Sequence, residues 1–137
     1  MSERSKGMSN PVQADRQTRQ GVWLRQAIRA AFWIALIAIT ALALTPGPAM
    51  PPVLLGADKL KHIAAFATLA GLVRLGWPGL PLWLGGAVLI AHGAFIEIVQ
   101  GSPILQREMS LADLAADAIG IALGFAAIWL LHRVRRA

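Results

Sequence analysis

Four apolar runs, separated by short stretches containing proline and glycine, organise the chain. Residues 1–21 carry Ser, Gln and Arg without an apolar period, which predicts a basic arm, disordered or loosely surface-bound, on the cytoplasmic side. Trp23, Arg25 and Arg29 then lead into AAFWIALIAITALAL, a first span over about residues 25–45 with headgroup anchors at its start. The stretch TPGPAMPP stops it, because proline lacks a backbone donor and biases its predecessor away from the α region. A second span over about 60–77 contains Arg74, whose long stem can reach the far interface, and GWPGLP turns the chain. A third, about 81–99, holds LWLGGAVLIAHGAFIEIV and runs into a Gly-Ser-Pro turn. The fourth, about 111–131, opens SLADLAADAIG with Ser110 as N-cap and ends at a basic cytoplasmic tail, 133–137. A water-soluble bundle would show a polar stripe along every helix, whereas these runs are polar at one end only. The expected fold is an all-α membrane protein with four transmembrane helices in one domain over 22–132.

Composition agrees with a bilayer as solvent. With 56% hydrophobic and 15% charged residues in 137, the chain is too apolar for one small water-soluble core. A net charge of +6 raises nucleic acid as a partner, but the basic residues gather at the two ends rather than on one patch, so none is expected. The lack of cysteine excludes disulfides, thiol nucleophiles and cysteine-ligated metals. The charged stretch before the first run is too long for a signal peptide, so that run reads as a retained span. Arg4, Lys6, Arg16, Arg19, Arg25 and Arg29 precede the first span, and Arg133, Arg135 and Arg136 follow the last. The positive-inside rule then puts both termini in the cytoplasm, with Arg74 in agreement. Asp58, Lys59, Lys61, Arg107 and Glu108 fall on the outer side.

Polar side chains converge there. Asp58 and His62 stand four apart on the second helix, and Glu97 and Gln100 close the third. Asp113, Asp117, Gly120 and Gly124 form one line on the fourth, with Asp117 about 6 Å deeper than Asp113 at the helical rise. Bare carboxylates in hydrocarbon are costly, so Lys59, Lys61, His62 and Arg107 are expected to compensate them in one shared outward-opening pocket. Arg107 can make a bidentate contact to Glu97, to Asp113 or to an incoming phosphate or carboxylate.

The spacings DKLKHIAAFATL, EIVQ and REMSLADLAADAIGIALG fit D-K-x-x-H-x-x-A-F-x-x-L, E-x-x-Q and R-x(5)-D-x(3)-N-x-x-G-x(3)-G. From Asp58 to Gly124 the chain resembles the VanZ-like family of small bacterial membrane proteins, whose namesake is associated with teicoplanin resistance. The motif falls on Asp58, Lys59, His62, Glu97, Gln100, Arg107 and Asp113, with Gly120 and Gly124 as packing glycines. Asp117 departs from it, standing where the family has Asn. The resemblance implies a multi-pass protein of the bacterial cytoplasmic (inner) membrane with a role at the cell envelope, and supplies no reaction.

Several readings stay open at this level. Asp58 and His62 form either a local pair at a helix start or part of a binding or proton-handling site. Glu97, Arg107 and Asp113 form either an ion-pair network holding the bundle or a ligand site. His92, about 140° round from Glu97, reads as a satisfied core histidine, and Trp23, Trp77, Trp83 and Trp129 as an interfacial belt. One histidine among acids is a poor zinc set; no metal and no cofactor are expected, a divalent cation on Asp58, Glu97, Asp113 and Asp117 being only weakly indicated. The leading expectation is binding or modulation of an anionic envelope component, such as a lipid-linked or peptidoglycan precursor or a glycopeptide, with an effect on glycopeptide susceptibility. The alternatives are a membrane enzyme using His62 and Glu97 on a lipid phosphate or lipid-linked precursor, and a purely structural subunit. A proton-linked transporter ranks last.

Overall fold

The computed structural model describes residues 11–45, 55–102 and 109–137, which form four helices: α1 (Pro11–Ala43), α2 (Leu55–Gly76), α3 (Leu82–Gln100) and α4 (Leu111–Val134). There is no strand among the described residues. Arg4, Lys6, Arg107, Glu108 and most of TPGPAMPP lie outside them.

α1 corrects the expected arm: the chain is helical from Pro11, not from about residue 22. Proline suits a first helical position, where its missing N–H has no intrahelical partner. Asp15 and Arg19 then pair at 3.1 Å one turn apart. A run of Gln, Arg and Ala needs no apolar stripe to be helical. At 33 residues α1 is about 50 Å long, more than the ~30 Å of a hydrocarbon core, so its basic first third extends beyond any bilayer the rest crosses.

α2 begins near Leu55, ahead of the expected start at about 60, which sets Asp58 in its first turn against the free amides of the helix end. Its last turn is held from α1, where Arg29 Nε donates to the Gly76 carbonyl at 2.9 Å and the guanidinium lies 5.3 Å over the Trp77 ring. Phe32 meets that ring edge-on at 5.3 Å, so Trp77 is turned into the bundle, while Trp23, Trp83 and Trp129 are exposed as a belt requires. Ser110 caps α4 as its sequence implies, its Oγ accepting from the Asp113 N–H at 3.2 Å.

α2 is the centre of the bundle, against α4 along its length and in contact with α1 and α3. Phe66, Leu69, Ala70 and Val73 on α2 meet Phe32, Leu89, Ile96 and Ile121 in the core. The α2–α4 approach is backbone on backbone. A Cβ at Gly120 would stand 2.5 Å from the Ile63 carbonyl oxygen, and one at Gly124 would run into the Ala67 carbonyl. Between helices in lipid there is little hydrophobic drive, so close packing over small residues is what holds them together.

The outer faces of α1, α3 and α4 leave Ile34, Ile37, Leu42, Val88, Ile98 and Leu130 exposed, a surface that hydrocarbon covers better than water. These three helices are long and apolar enough to cross a membrane. α2 carries Asp58, Lys59, Lys61 and Arg74 in its 22 residues and does not share that property.

Gly124→Ala is expected to push α4 off α2 and lower unfolding stability in detergent by about 1–3 kcal/mol. Gly71→Ala, where the added carbon meets only Ile128 at 3.9 Å, should change it little. Equal effects of the two substitutions would count against the packing assigned to Gly124.

Candidate functional site

Antiparallel packing brings the start of α2, the end of α3 and the start of α4 to one end of the bundle. The described polar residues foreseen for a shared site collect there, and their arrangement has depth. Asp117, Glu97 and Gln100 are buried; His62, Asp58, Lys59 and Asp113 are half-buried; Lys61 is exposed at the rim. Arg107, assigned a central role by its sequence position, lies outside the described residues.

At the floor, His62 Nδ1 and Asp117 Oδ1 are 2.8 Å apart, joining α2 to α4. The pairing exists because Gly120 and Gly124 let α4 close on α2 just below it. It also needs Gly93 on α3, where a side-chain carbon would occupy the space of the Asp117 carboxylate and stand 3.3 Å from Phe66. With Asp117 ionised, Nδ1 is the donor and Nε2 is left with its lone pair available as a base or ligand. Of the readings left open for His62, a simple local pair with Asp58 is therefore displaced: the hydrogen bond goes to Asp117, across helices.

Glu97 Oε2 accepts from the Ser110 N–H at 2.7 Å, fastening the end of α3 to the cap of α4. Its other oxygen, Oε1, is buried and has no hydrogen-bond partner among the described residues. Gln100 Nε2 donates to the Ala43 carbonyl at 2.8 Å, so α1 also contributes to this end. Towards the rim, Lys59 Nζ lies 3.9 Å from Asp113 Oδ1, an ion pair too long for a good hydrogen bond. Ligand atoms of Asp58, His62 and Asp113 lie within 4.8 Å of one another.

His92, next to Gly93, makes its hydrogen bond to α1 instead. Its Nε2 is 3.0 Å from Thr40 Oγ1, whose own proton goes to the Leu36 carbonyl at 2.7 Å, so the ring is the donor. His92 also stacks on Phe95 with centroids 6.4 Å apart. The core-histidine reading holds, with a partner on α1 that had not been assigned. Thr40, the single hydroxyl in AAFWIALIAITALAL, was the available signal.

A groove of about 470 Å³ lies elsewhere, on the apolar α2–α4 flank lined by Ala67, Gly71, Leu75, Leu123 and Ile128, and holds no titratable group. The site's chemistry therefore belongs to the polar end: an oriented imidazole, carboxylates at two depths and ammonium groups at the rim.

No protein-family model, curated protein or solved structure matches the chain.

A double-mutant cycle on His62→Ala and Asp117→Ala, read by unfolding in detergent, is expected to give a coupling of about 0.6–1.7 kcal/mol, the range of interhelical hydrogen bonds in membranes. Asp117→Ala alone should cost more than His62→Ala, because Asp117 also fills the space left by Gly93. Additive losses would show the pair to be uncoupled.

Proposed function

We propose that this chain is a VanZ-like multi-pass protein of the bacterial cytoplasmic membrane, with four spans and both termini cytoplasmic. Its polar end faces outward and binds an anionic cell-envelope component, a lipid-linked or peptidoglycan precursor or a glycopeptide-like amphiphile, so that it modulates glycopeptide susceptibility. The observation that carries the reading is the gathering of Asp58, Lys59, His62, Glu97, Gln100, Asp113 and Asp117 from three helices at one end. Polar glue between helices needs one or two such contacts, and this end spends many desolvated charges on little stability.

Two features support the topology. Arg16, Arg19, Arg25 and Arg29 on α1, and Arg133, Arg135 and Arg136 at the C-terminal end of α4, stand at the end away from the cluster. α2 lies along α4 from Ile63 opposite Gly120 to Gly71 opposite Ile128, so a bilayer crossed by α4 is crossed by α2 beside it, its charges at the two ends. Lys59 and Lys61 at the rim supply the cations that an anionic headgroup meets first.

The His62–Asp117 pair favours catalysis as a second reading. A carboxylate on Nδ1 holds an imidazole for general acid–base work at Nε2. In this reading His62, with Glu97 as the second titratable group, acts on a lipid phosphate or lipid-linked precursor.

Because the chain has no cysteine, single cysteines report topology directly. In intact cells, Ala57→Cys and Met109→Cys should react with a membrane-impermeant maleimide, and Gly79→Cys only after permeabilisation. Labelling of the first two from opposite faces would remove the pocket. Purified protein should bind vesicles containing undecaprenyl phosphate saturably, and Lys59→Gln should weaken that binding several-fold; binding no better than to neutral vesicles refutes the anionic ligand. Turnover of a lipid phosphate that disappears in His62→Ala would replace the binding reading with the catalytic one.

A further inference from the structure

The acids at this end outnumber the fixed cations. Among the described residues of the cluster, Asp58, Glu97, Asp113 and Asp117 face only Lys59 and Lys61, with His62 as the titratable seventh. Lys61 is exposed, and Lys59 approaches Asp113 no closer than 3.9 Å. Neither ammonium reaches the floor. The unpartnered oxygen of Glu97 marks the deficit: the residue is 3% exposed, and its carboxylate interacts electrostatically with Asp113, His62 and Asp117. A buried carboxylate oxygen left unpaired among other carboxylates is a place where added positive charge is stabilising, and among the described residues none reaches it.

We propose that Asp58, His62 and Asp113 bind a first-row divalent cation, Mn²⁺ or Zn²⁺, at the mouth of the cluster. Their ligand atoms, one ring nitrogen and two carboxylate oxygens, lie within 4.8 Å of one another. Donors at about 2.0–2.2 Å from one ion are about 3–4 Å apart, so a set already within 4.8 Å needs only to draw slightly together to close on it. The donor set excludes Ca²⁺ and Mg²⁺ as preferred ions, since imidazole favours borderline metals, and the carboxylates keep Mn²⁺ alongside Zn²⁺.

The second layer matches such a site. A metal-binding histidine normally gives its other ring N–H to a carboxylate, which fixes the tautomer and strengthens the ligand. His62 does so through Nδ1 to Asp117, a carboxylate 1% exposed, which leaves Nε2 as the nitrogen free to bind the ion. Three protein ligands leave coordination positions open, so the ion can take a phosphate or carboxylate oxygen directly. A cation here lets an acid-rich cluster hold an anionic headgroup. The ion site needs only the cluster's geometry and stands whether or not that headgroup is the true ligand.

The test uses the full chain in lipid nanodiscs with the metal alone, binding of Mn²⁺ being followed by loss of the free-ion electron paramagnetic resonance signal and competition by Zn²⁺. One ion per chain is expected. Asp58→Asn and Asp113→Asn should each weaken binding at least tenfold, and Asp117→Asn, which touches no metal, by about 10–100-fold. Lys59→Gln should tighten it, by removing the charge beside Asp113, although it weakens vesicle binding. Helical circular dichroism and elution volume verify folding, and Asp58→Asn, altered at the half-exposed rim, keeps the test valid should a deeper variant unfold. No stoichiometric uptake by folded wild-type protein, or unchanged affinity in Asp58→Asn and Asp113→Asn, overturns the site whatever the vesicles show. Metal uptake without anionic-vesicle binding sinks the headgroup and leaves the ion site standing.

Discussion

The close approach of α4 to the backbone of α2 is the constraint from which the rest follows. Gly120 and Gly124 lie on the face of α4 that also carries Asp117, and they rest on the Ile63 and Ala67 carbonyls. With those two turns in register, the next turn towards the α4 N-terminus has one place to go: Asp117 meets His62, and Asp113 comes beside Lys59 and Asp58. A helix separation set by larger residues would be wider by the thickness of a side chain. A 2.8 Å contact between a short aspartate and an imidazole on facing helices would not survive it. Packing in the apolar middle thus decides chemistry at the polar end.

That end is closed in layers, most of the fastenings coming from α3. α3 admits the Asp117 carboxylate at Gly93, anchors the α4 cap through Glu97 and reaches α1 through Gln100. At the other end, Arg29 of α1 caps α2 and covers Trp77. In hydrocarbon, the unpaired backbone groups of a helix terminus are expensive, and side chains from neighbouring helices satisfy them here. The cross-helix polar contacts at the two ends therefore hold the helix ends together while the small residues set the spacing between.

Much of this was legible from spacing, and the exceptions have physical causes. The starts of α3 and α4, the Ser110 cap and the placing of Asp58, Glu97 and Asp117 at one end follow from hydropathy and from counting along each helix. The helix over Pro11–Gly21 was missed because it has no apolar face; it rests on propensity and an Asp15–Arg19 pair, which hydrophobic periodicity does not register. The partner of His62 was missed for another reason. Periodicity says which residues share a face of one helix, so Asp58 is visible as a neighbour four residues away. The register between two helices depends on which small residues meet which backbone, and that is a property of the assembled pair. The same holds for Thr40 with His92 and for Gln100 with the Ala43 carbonyl.

His62 and His92, the two partly buried histidines of the bundle, show how little separates a structural group from a reactive one. Both are half-buried, and both have a ring nitrogen in an interhelical hydrogen bond. His92 bonds a hydroxyl whose own proton is committed to the Leu36 carbonyl, so its partner is neutral and its role is to tie α3 to α1 between aromatic rings. His62 bonds a carboxylate that has lost almost all contact with solvent, and its ring lies beside Asp58 and Asp113 at a rim that water and solutes can reach. A buried anion on one nitrogen raises the affinity of the other for a proton or a metal, whereas a committed hydroxyl does not. The difference arises from what α1 and α4 bring to each ring, Thr40 in one case and Asp117 in the other, and Asp117 can be there only because Gly93, Gly120 and Gly124 leave it room.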